Sequence, residues 1–195
     1  PGAGSEANPK FARLLADTGE IVEEEIAGLR RLVDTFRTLG QLPKVEAAPL
    51  PLAEVMSDLH LDPIFAARLR LRPSATAITV HADKLLLKRV LTNLVENGMH
   101  AGQEAGTAGD VEVGWEPGPN PDEVTIVVDD HGRGVPEAKR DHIFEPYVTS
   151  KATGTGLGLA IAKKIVLEHG GTLAVAAAAA PTGGARFVLR LPTGT

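Results

Sequence analysis

The sequence predicts an α+β protein, a two-layer α/β sandwich preceded by an N-terminal coiled-coil-like helix. Three observations predict it. Val22, Ile26, Leu29, Val33 and Phe36 follow one another at spacings of 4, 3, 4 and 3, the seam of a helix that packs on another helix. Two further apolar stretches, 82–101 and 157–169, keep helical spacing. Around them lie short Val-, Ile- and Leu-rich runs bounded by Gly, Pro and Asp, the mark of strands. Helices set between strand pairs that can all be antiparallel neighbours pack as one helical layer on one sheet.

Taken in order, residues 1–9 (PGAGSEANP) read as a linker, and residues 10–42 as one charged helix with Glu23, Glu24 and Glu25 followed by Arg30 and Arg31. An amphipathic helix packed on its own domain is the plainer reading; the strict heptad favours a partner helix. Gly40 and Pro43 end it, and residues 43–51 are rich enough in proline to read as a linker. The sandwich then spans 52–195. It starts with a short helix, LAEVMSDLH, and two strands, RLRLR (68–72, alternating and suited to an edge) and AITV (77–80). Leu86, Val90 and Leu94, with Leu87 and Leu91, lie on one face of the helix at 82–101, and Asp83 is its natural cap. VEVGW and EVTIVVDD form a hairpin around PGPNPD, the helix 157–169 closes on Gly170 and Gly171, and TLAVAA and RFVLRLP complete the sheet.

Composition narrows the function. The chain has 195 residues, 43% of them hydrophobic, with only 4% aromatic and a net charge of −5. An acidic chain without a basic run lacks the footprint of a nucleic-acid binder. Without cysteine there is no disulfide framework, thiolate zinc site or thiol nucleophile, which suits a reducing compartment. The sequence contains neither a leader-like stretch nor an apolar run of 18 residues. The expected location is therefore cytoplasmic, with membrane contact only through regions outside this sequence.

Three constellations carry chemistry. In RVLTNLVENGMHA, Asn93, Asn97 and His100 stand at i, i+4 and i+7 and share a helix face. An amide oxygen is a hard ligand suited to Mg²⁺, which keeps waters and takes phosphate oxygens as further ligands. In VVDDHGRGVP a strand runs into Asp129 and Asp130, which face opposite ways, and then into Gly-x-Gly. The carboxylate that points inward can accept from an exocyclic amino group. In KATGTGLGLAIAKKI, glycines precede a helix whose free N–H groups and dipole suit an anion. Singly, each has a plainer reading: solvated asparagines, a β-turn, a loop with no Walker or dinucleotide spacing.

Together, NLVENGMHA resembles the N box, DDHGRG the G1 box, IFEPYVTSK the F box and GTGLGL the G2 box of sensor histidine kinases. These belong to a wider group that includes gyrase and the heat-shock chaperone ATPases. The four boxes stand in the family's order over most of residues 80–171. The N-terminal helix and FRTLGQLPKVEAAPLPLAEV resemble the end of a dimerisation region and its connection, in the style of nitrogen-regulation kinases. The resemblance implies a Bergerat-type ATP-binding fold, with the second helix of a dimerisation hairpin at 10–42. It also implies ATP and Mg²⁺ as ligands, a homodimer through the N-terminal helix in the full-length protein, and a response regulator receiver domain as partner.

The resemblance further implies roles. Asn97 would coordinate Mg²⁺ and Asn93 would line the phosphate end. His100 fills a slot where many relatives carry a basic residue that touches phosphate, and Lys151 would reach a phosphate from a short lid between Phe144 and Gly154. Asn93, His100 and Lys151 are thus the implied catalytic residues. Asp130 would bind the adenine amino group with Gly132 and Gly134 giving the base room. Gly156, Leu157 and Gly158 would offer N–H groups to the triphosphate, with Thr155 and Leu159 completing the binding set.

Three departures qualify the match. Gly98 stands where Ala is usual, at a helix-interior cost of about 1 kcal/mol, and His131 stands where Asn is common. The family's phosphoacceptor is a histidine followed by an acidic residue, yet His60, His81, His100, His131, His142 and His169 are each followed by a non-acidic one. The expected function is transfer of the ATP γ-phosphoryl group to a histidine outside this sequence, for relay to a response regulator aspartate. A non-catalytic nucleotide-binding dimerisation module is the alternative. So is an ATP-hydrolysing or serine-kinase relative, disfavoured because Asn93 stands where hydrolases carry a Glu base.

Overall fold

The computed structural model describes residues 44–149, 151, 155–178 and 183–194, with Thr18, Gly19, Val22, Glu25 to Gly28, Arg30 and Val33 of the N-terminal segment. The chain divides into two units, Pro1–Leu42 and Pro43–Thr195. In the first, the described residues are helical, and Val22, Ile26 and Val33 of the seam are exposed. Leu29 and Phe36, like most of the helix expected at 10–42, lie outside the described residues.

The second unit is a mixed sheet covered by helices. Strands β1 (Ala48–Pro51) and β3 (Thr79–Ala82) form an antiparallel pair. Strands β2 (Leu69–Arg72), β4 (Val111–Pro117), β5 (Glu123–Asp130), β6 (Thr172–Ala177) and β7 (Ala185–Pro192) form a five-stranded sheet in the order β2-β4-β5-β7-β6. Helix α1 (Leu52–His60) leads into β2, α2 (Lys84–Glu104) follows β3, and α3 (Gly158–Glu168) precedes β6. Two expectations change here. Residues 48–51, read as linker, form β1, whose prolines are tolerated because it pairs on one side only. The sheet is not wholly antiparallel, because β2 runs parallel to β4, Leu69 beside Val111. β2 does lie at an edge, as its alternation suggests.

Alternation along β4, β5 and β7 sorts the sheet into two faces. Val111, Val113 and Trp115 of β4, Val124, Ile126 and Val128 of β5, and Phe187, Leu189 and Leu191 of β7 share the inner face through their registers and are buried. Leu87, Leu91 and Leu94 of α2 and Ile165 and Val166 of α3 are buried in the helical layer. The outer face carries charge. Asp129 receives both Nε and Nη2 of Arg186 at 2.7 Å and Nη2 of Arg72 at 2.8 Å. A carboxylate buried on a solvent-side face is thereby neutralised by two guanidinium groups, one of them bidentate.

Helix α2 begins where the sequence places it. Asp83 accepts from the Leu85 and Leu86 N–H groups at 3.0 and 3.1 Å, an N-cap that satisfies two otherwise unpaired donors. Gly98 lies where α2 crosses the sheet: a Cβ there would stand 2.9 Å from Val111 Cγ2 and 3.0 Å from Asp130 Cβ. The side chain absent from the helix is thus replaced by close packing of β4 and β5. Among the described residues no helix is long and apolar enough to cross a membrane.

Candidate nucleotide site

A cleft of about 900 Å³ opens between the end of β5, the C-terminal half of α2 and the start of α3. Asp130 stands at one end of it. The register that puts Val128 and Ile126 on the inner face puts Asp130 there too, and Asp129 on the opposite face. Asp130 is only 3% exposed. Its Oδ1 accepts the Gly132 N–H at 2.8 Å and the Ala185 N–H at 3.0 Å. Both bonds fall on one oxygen, and no buried side-chain N or O atom among the described residues lacks a partner. The other oxygen therefore meets the cleft. Burial pushes the Asp130 carboxyl above its ordinary value; the N–H groups of Ala185 and Gly132 pull the other way without cancelling it, and the neighbouring Asp129 charge adds to the rise.

Asn93, Asn97 and His100 of α2 all line the cleft, as their spacing on one helix face requires. Lys151 extends from the opposite wall and its Nζ donates to Asn97 Oδ1 at 2.7 Å. His100 Nδ1 stands 3.5 Å from Glu104 Oε1, one helical turn on. At the far end α3 starts at Gly158, and its N-cap, Leu157, makes no side-chain capping bond. This contrasts with α2. The first N–H groups of α3 keep their donor capacity and the positive end of the helix dipole. A Cβ at Gly158 would lie 3.4 Å from Asn93 Oδ1, so the helix N-terminus and the asparagine face meet.

The glycines before α3 divide by cause. Gly156 has φ +66°, and a Cβ there would lie 2.6 Å from Tyr147 Cα. The Tyr147 N–H donates to the Gly156 carbonyl at 3.0 Å, so the two residues close the base of the intervening loop. Tyr147 itself has φ +69°. Gly154 and residues 150, 152 and 153 of the lid lie outside the described residues. Gly134, at φ +72°, approaches the Gly184 carbonyl and lines the cleft.

Thr155, Gly156, Gly158 and Leu159 also line the cleft, so it gathers ten of the residues singled out in the sequence. Gly132 and Leu157 are not on its wall. A Cβ at Gly132 would stand 2.7 Å from Ala101 Cβ, so that glycine is needed for the packing of the β5 turn on α2. Sequence reading missed Arg133 and Lys139, which add positive charge to the wall, and Ala185, whose N–H holds Asp130. Arg133 sits between two glycines already noted, which is signal enough; Ala185 carries none.

The residues present fit a magnesium ion of the kind that binds with a nucleotide. Asn97 Oδ1 already receives a cationic group, the Lys151 ammonium. Among the described residues no cluster of three His, Cys, Asp or Glu could hold a metal by itself. A hard ion held by amide oxygen needs phosphate oxygens and water for its remaining ligands, and the uncapped α3 N-terminus is where phosphates would lie.

Comparison with known proteins agrees with this geometry. Residues 82–195 match the family described as histidine kinase-, DNA gyrase B-, and HSP90-like ATPase. The chain is 41% identical over 195 residues to the sensor histidine kinase ZraS of Escherichia coli O157:H7, covering 97% of this chain and 39% of that protein. It is 29% identical over 178 residues to the nitrogen regulation protein NtrY of Azorhizobium caulinodans, covering 83% of this chain and 22% of that one. It therefore spans well under half the length of these relatives. Among solved structures, the mycobacterial sensor histidine kinase MprB aligns with a TM-score of 0.63 at 31% identity, over 75% of this chain and 97% of that one. Four boxes in order, an inward aspartate and an uncapped helix N-terminus on one cleft, and these matches place the chain in the histidine kinase-, DNA gyrase B- and HSP90-like ATPase family, as a histidine-kinase-type ATP-binding domain.

Proposed function

We propose that this chain binds Mg-ATP in the cleft and transfers its γ-phosphoryl group to a histidine, from which an aspartate of a response regulator receiver domain takes it. One observation carries the reading. A single cleft has an open oxygen of Asp130 at one end and, at the other, the uncapped N-terminus of α3 against Asn93. The first suits the adenine amino group, which donates; the second suits the triphosphate, which accepts.

Asn97 would hold Mg²⁺ with Asn93 beside it, and the ion would neutralise charge on the phosphates. Lys151 and His100 would contact phosphate, and Gly134 would leave the backbone beside the base open. In the transfer, an imidazole nitrogen lone pair forms the bond to the γ-phosphorus, the bond from that phosphorus to the bridging oxygen breaks, and ADP leaves. The imidazole proton passes to solvent. Positioning and electrostatics do most of such catalysis. Asn93 supplies no base to activate water, so hydrolysis would be slow.

Because no histidine here precedes an acidic residue, the acceptor would come from a dimerisation hairpin, whose second helix would be residues 10–42. The test is incubation with γ-labelled ATP and a helical hairpin carrying a His-Glu pair. Acid-labile label on the hairpin, lost when its histidine is replaced, is the expected result. Release of labelled phosphate with none on the hairpin would instead make the chain a hydrolase.

A further inference from the structure

Outside the cleft, the far end of α3 makes a polar contact that the nucleotide reading does not use. His169, the C-cap residue of α3, is buried. Its Nδ1–H donates to the Ile165 carbonyl at 2.7 Å, and its Nε2 accepts the Asp83 backbone N–H at 3.0 Å. A carbonyl can only accept and a backbone N–H can only donate, so these partners select the neutral Nδ1–H tautomer and occupy both ring nitrogens. Asp83 is the N-cap of α2. One imidazole thus joins the C-terminus of α3 to the N-terminus of the helix that carries Asn93 and Asn97.

The other end of the same helix pair is the site. Gly158 opens α3 beside Asn93, so α2 and α3 run antiparallel, with the His169 contact at one end and the cleft at the other. Eleven residues of α3 separate them, about 16 Å of helix. Along that length both helices bury apolar side chains, among them Leu87, Leu91 and Leu94 on α2 and Ala162, Ile165 and Val166 on α3. Apolar contact is non-directional, so it resists separation of the helices more than sliding along their axes. A hydrogen bond is directional, and a displacement of an ångström weakens it steeply.

We propose that His169 is a positioning residue: it sets the axial register of α3 on α2, and through α3 the placement of the helix N-terminus against Asn93. The inference rests on the nucleotide reading of the cleft. It separates the two ends of the ligand, because Asp130 is carried by β5 and does not depend on α3. Loss of the ring contact should therefore weaken whatever touches the phosphates and leave the base contact in place.

The experiment is calorimetric titration of the wild-type chain, His169→Phe and His169→Gln with a non-hydrolysable Mg-ATP analogue and with adenosine. Phe keeps a buried ring and makes neither bond; Gln can both accept from Asp83 and donate to Ile165. His169→Phe should bind the analogue on the order of tenfold more weakly while adenosine changes less than about twofold, and His169→Gln should recover most of the loss. An equal loss for both ligands, no loss, or no recovery with Gln overturns the proposal. If His169→Phe does not fold, His169→Leu replaces it. If both fail while Gln folds, the ring serves stability alone and the proposal falls. A wild-type chain that binds neither ligand overturns the nucleotide reading itself, a result distinct from all of these.

Discussion

Replacing Asp130 with Asn separates function from stability in opposite directions. The amide oxygen of Asn can keep both hydrogen bonds that Oδ1 now accepts from Gly132 and Ala185, so the turn after β5 has no reason to move. The other position changes from a carboxylate oxygen to an N–H group facing the cleft. A donor then meets the donor of the adenine amino group. One charge-assisted hydrogen bond, worth about 1.5–3 kcal/mol, is lost, and two opposed donors make the loss larger. A fall in ATP affinity of about 100-fold, near 2.7 kcal/mol, is the expectation.

Stability should move the other way. Burial raises the Asp130 carboxyl above its ordinary value, so the folded chain holds this proton more tightly than the unfolded one. The contribution to stability is full below the ordinary carboxylate range and is lost as pH rises through the raised value. At neutral pH the wild type has lost that contribution, whereas Asp130→Asn has no carboxyl whose burial can cost stability. The variant should melt higher at pH 7, and the advantage should shrink as pH falls through the raised value towards about 4, below which the unfolded carboxyl is protonated as well. Thermal melts across pH, paired with ATP titration, read both. A variant that melts lower at pH 7 than wild type, or binds ATP as well, refutes the reasoning.

Other perturbations test the parts separately. Asn97→Ala should remove the Mg²⁺ dependence of nucleotide binding, read by titration with and without the ion, and should also free the Lys151 ammonium from its 2.7 Å contact. Arg186→Met should lower stability by about 2 kcal/mol in urea unfolding, less than the ~3–5 kcal/mol of a wholly broken buried pair, because Arg72 still holds Asp129. Unchanged unfolding would mean that Arg72 suffices. Gly156→Ala should lower both stability and ATP affinity, since its φ of +66° and the Tyr147 backbone leave no place for a methyl group; the left-handed strain alone is about 1–2 kcal/mol.

The helical layer was legible because its signals are local. Asp83 and the leucine spacing mark the start of α2 to within two residues, and PGPNPD marks the β4–β5 hairpin. Alternation along β5 told only that Asp129 and Asp130 face opposite ways; it was the resemblance of DDHGRG to the G1 box that singled out Asp130. What stayed hidden depends on distant pairing. Nothing periodic tells that β2 runs parallel to β4, since a strand's alternation reads the same in either direction. The prolines of β1 disguised a strand that needs hydrogen bonds on one side only. Ala185, 55 residues from Asp130, contributes a backbone group, and a backbone group leaves no trace in residue type. Glycine is the ambiguous case: Gly132 and Gly156 mark close approaches, but of Ala101 and Tyr147, so a glycine shows that something comes near without showing what.

The central claim is that one cleft takes a nucleotide by both ends with magnesium between protein and phosphate. Calorimetric titration of the chain with a non-hydrolysable ATP analogue, in the presence and absence of Mg²⁺, tests it most directly. Saturable binding that weakens markedly when Mg²⁺ is withheld is the expected result. No binding at millimolar analogue, or binding indifferent to Mg²⁺, would contradict it.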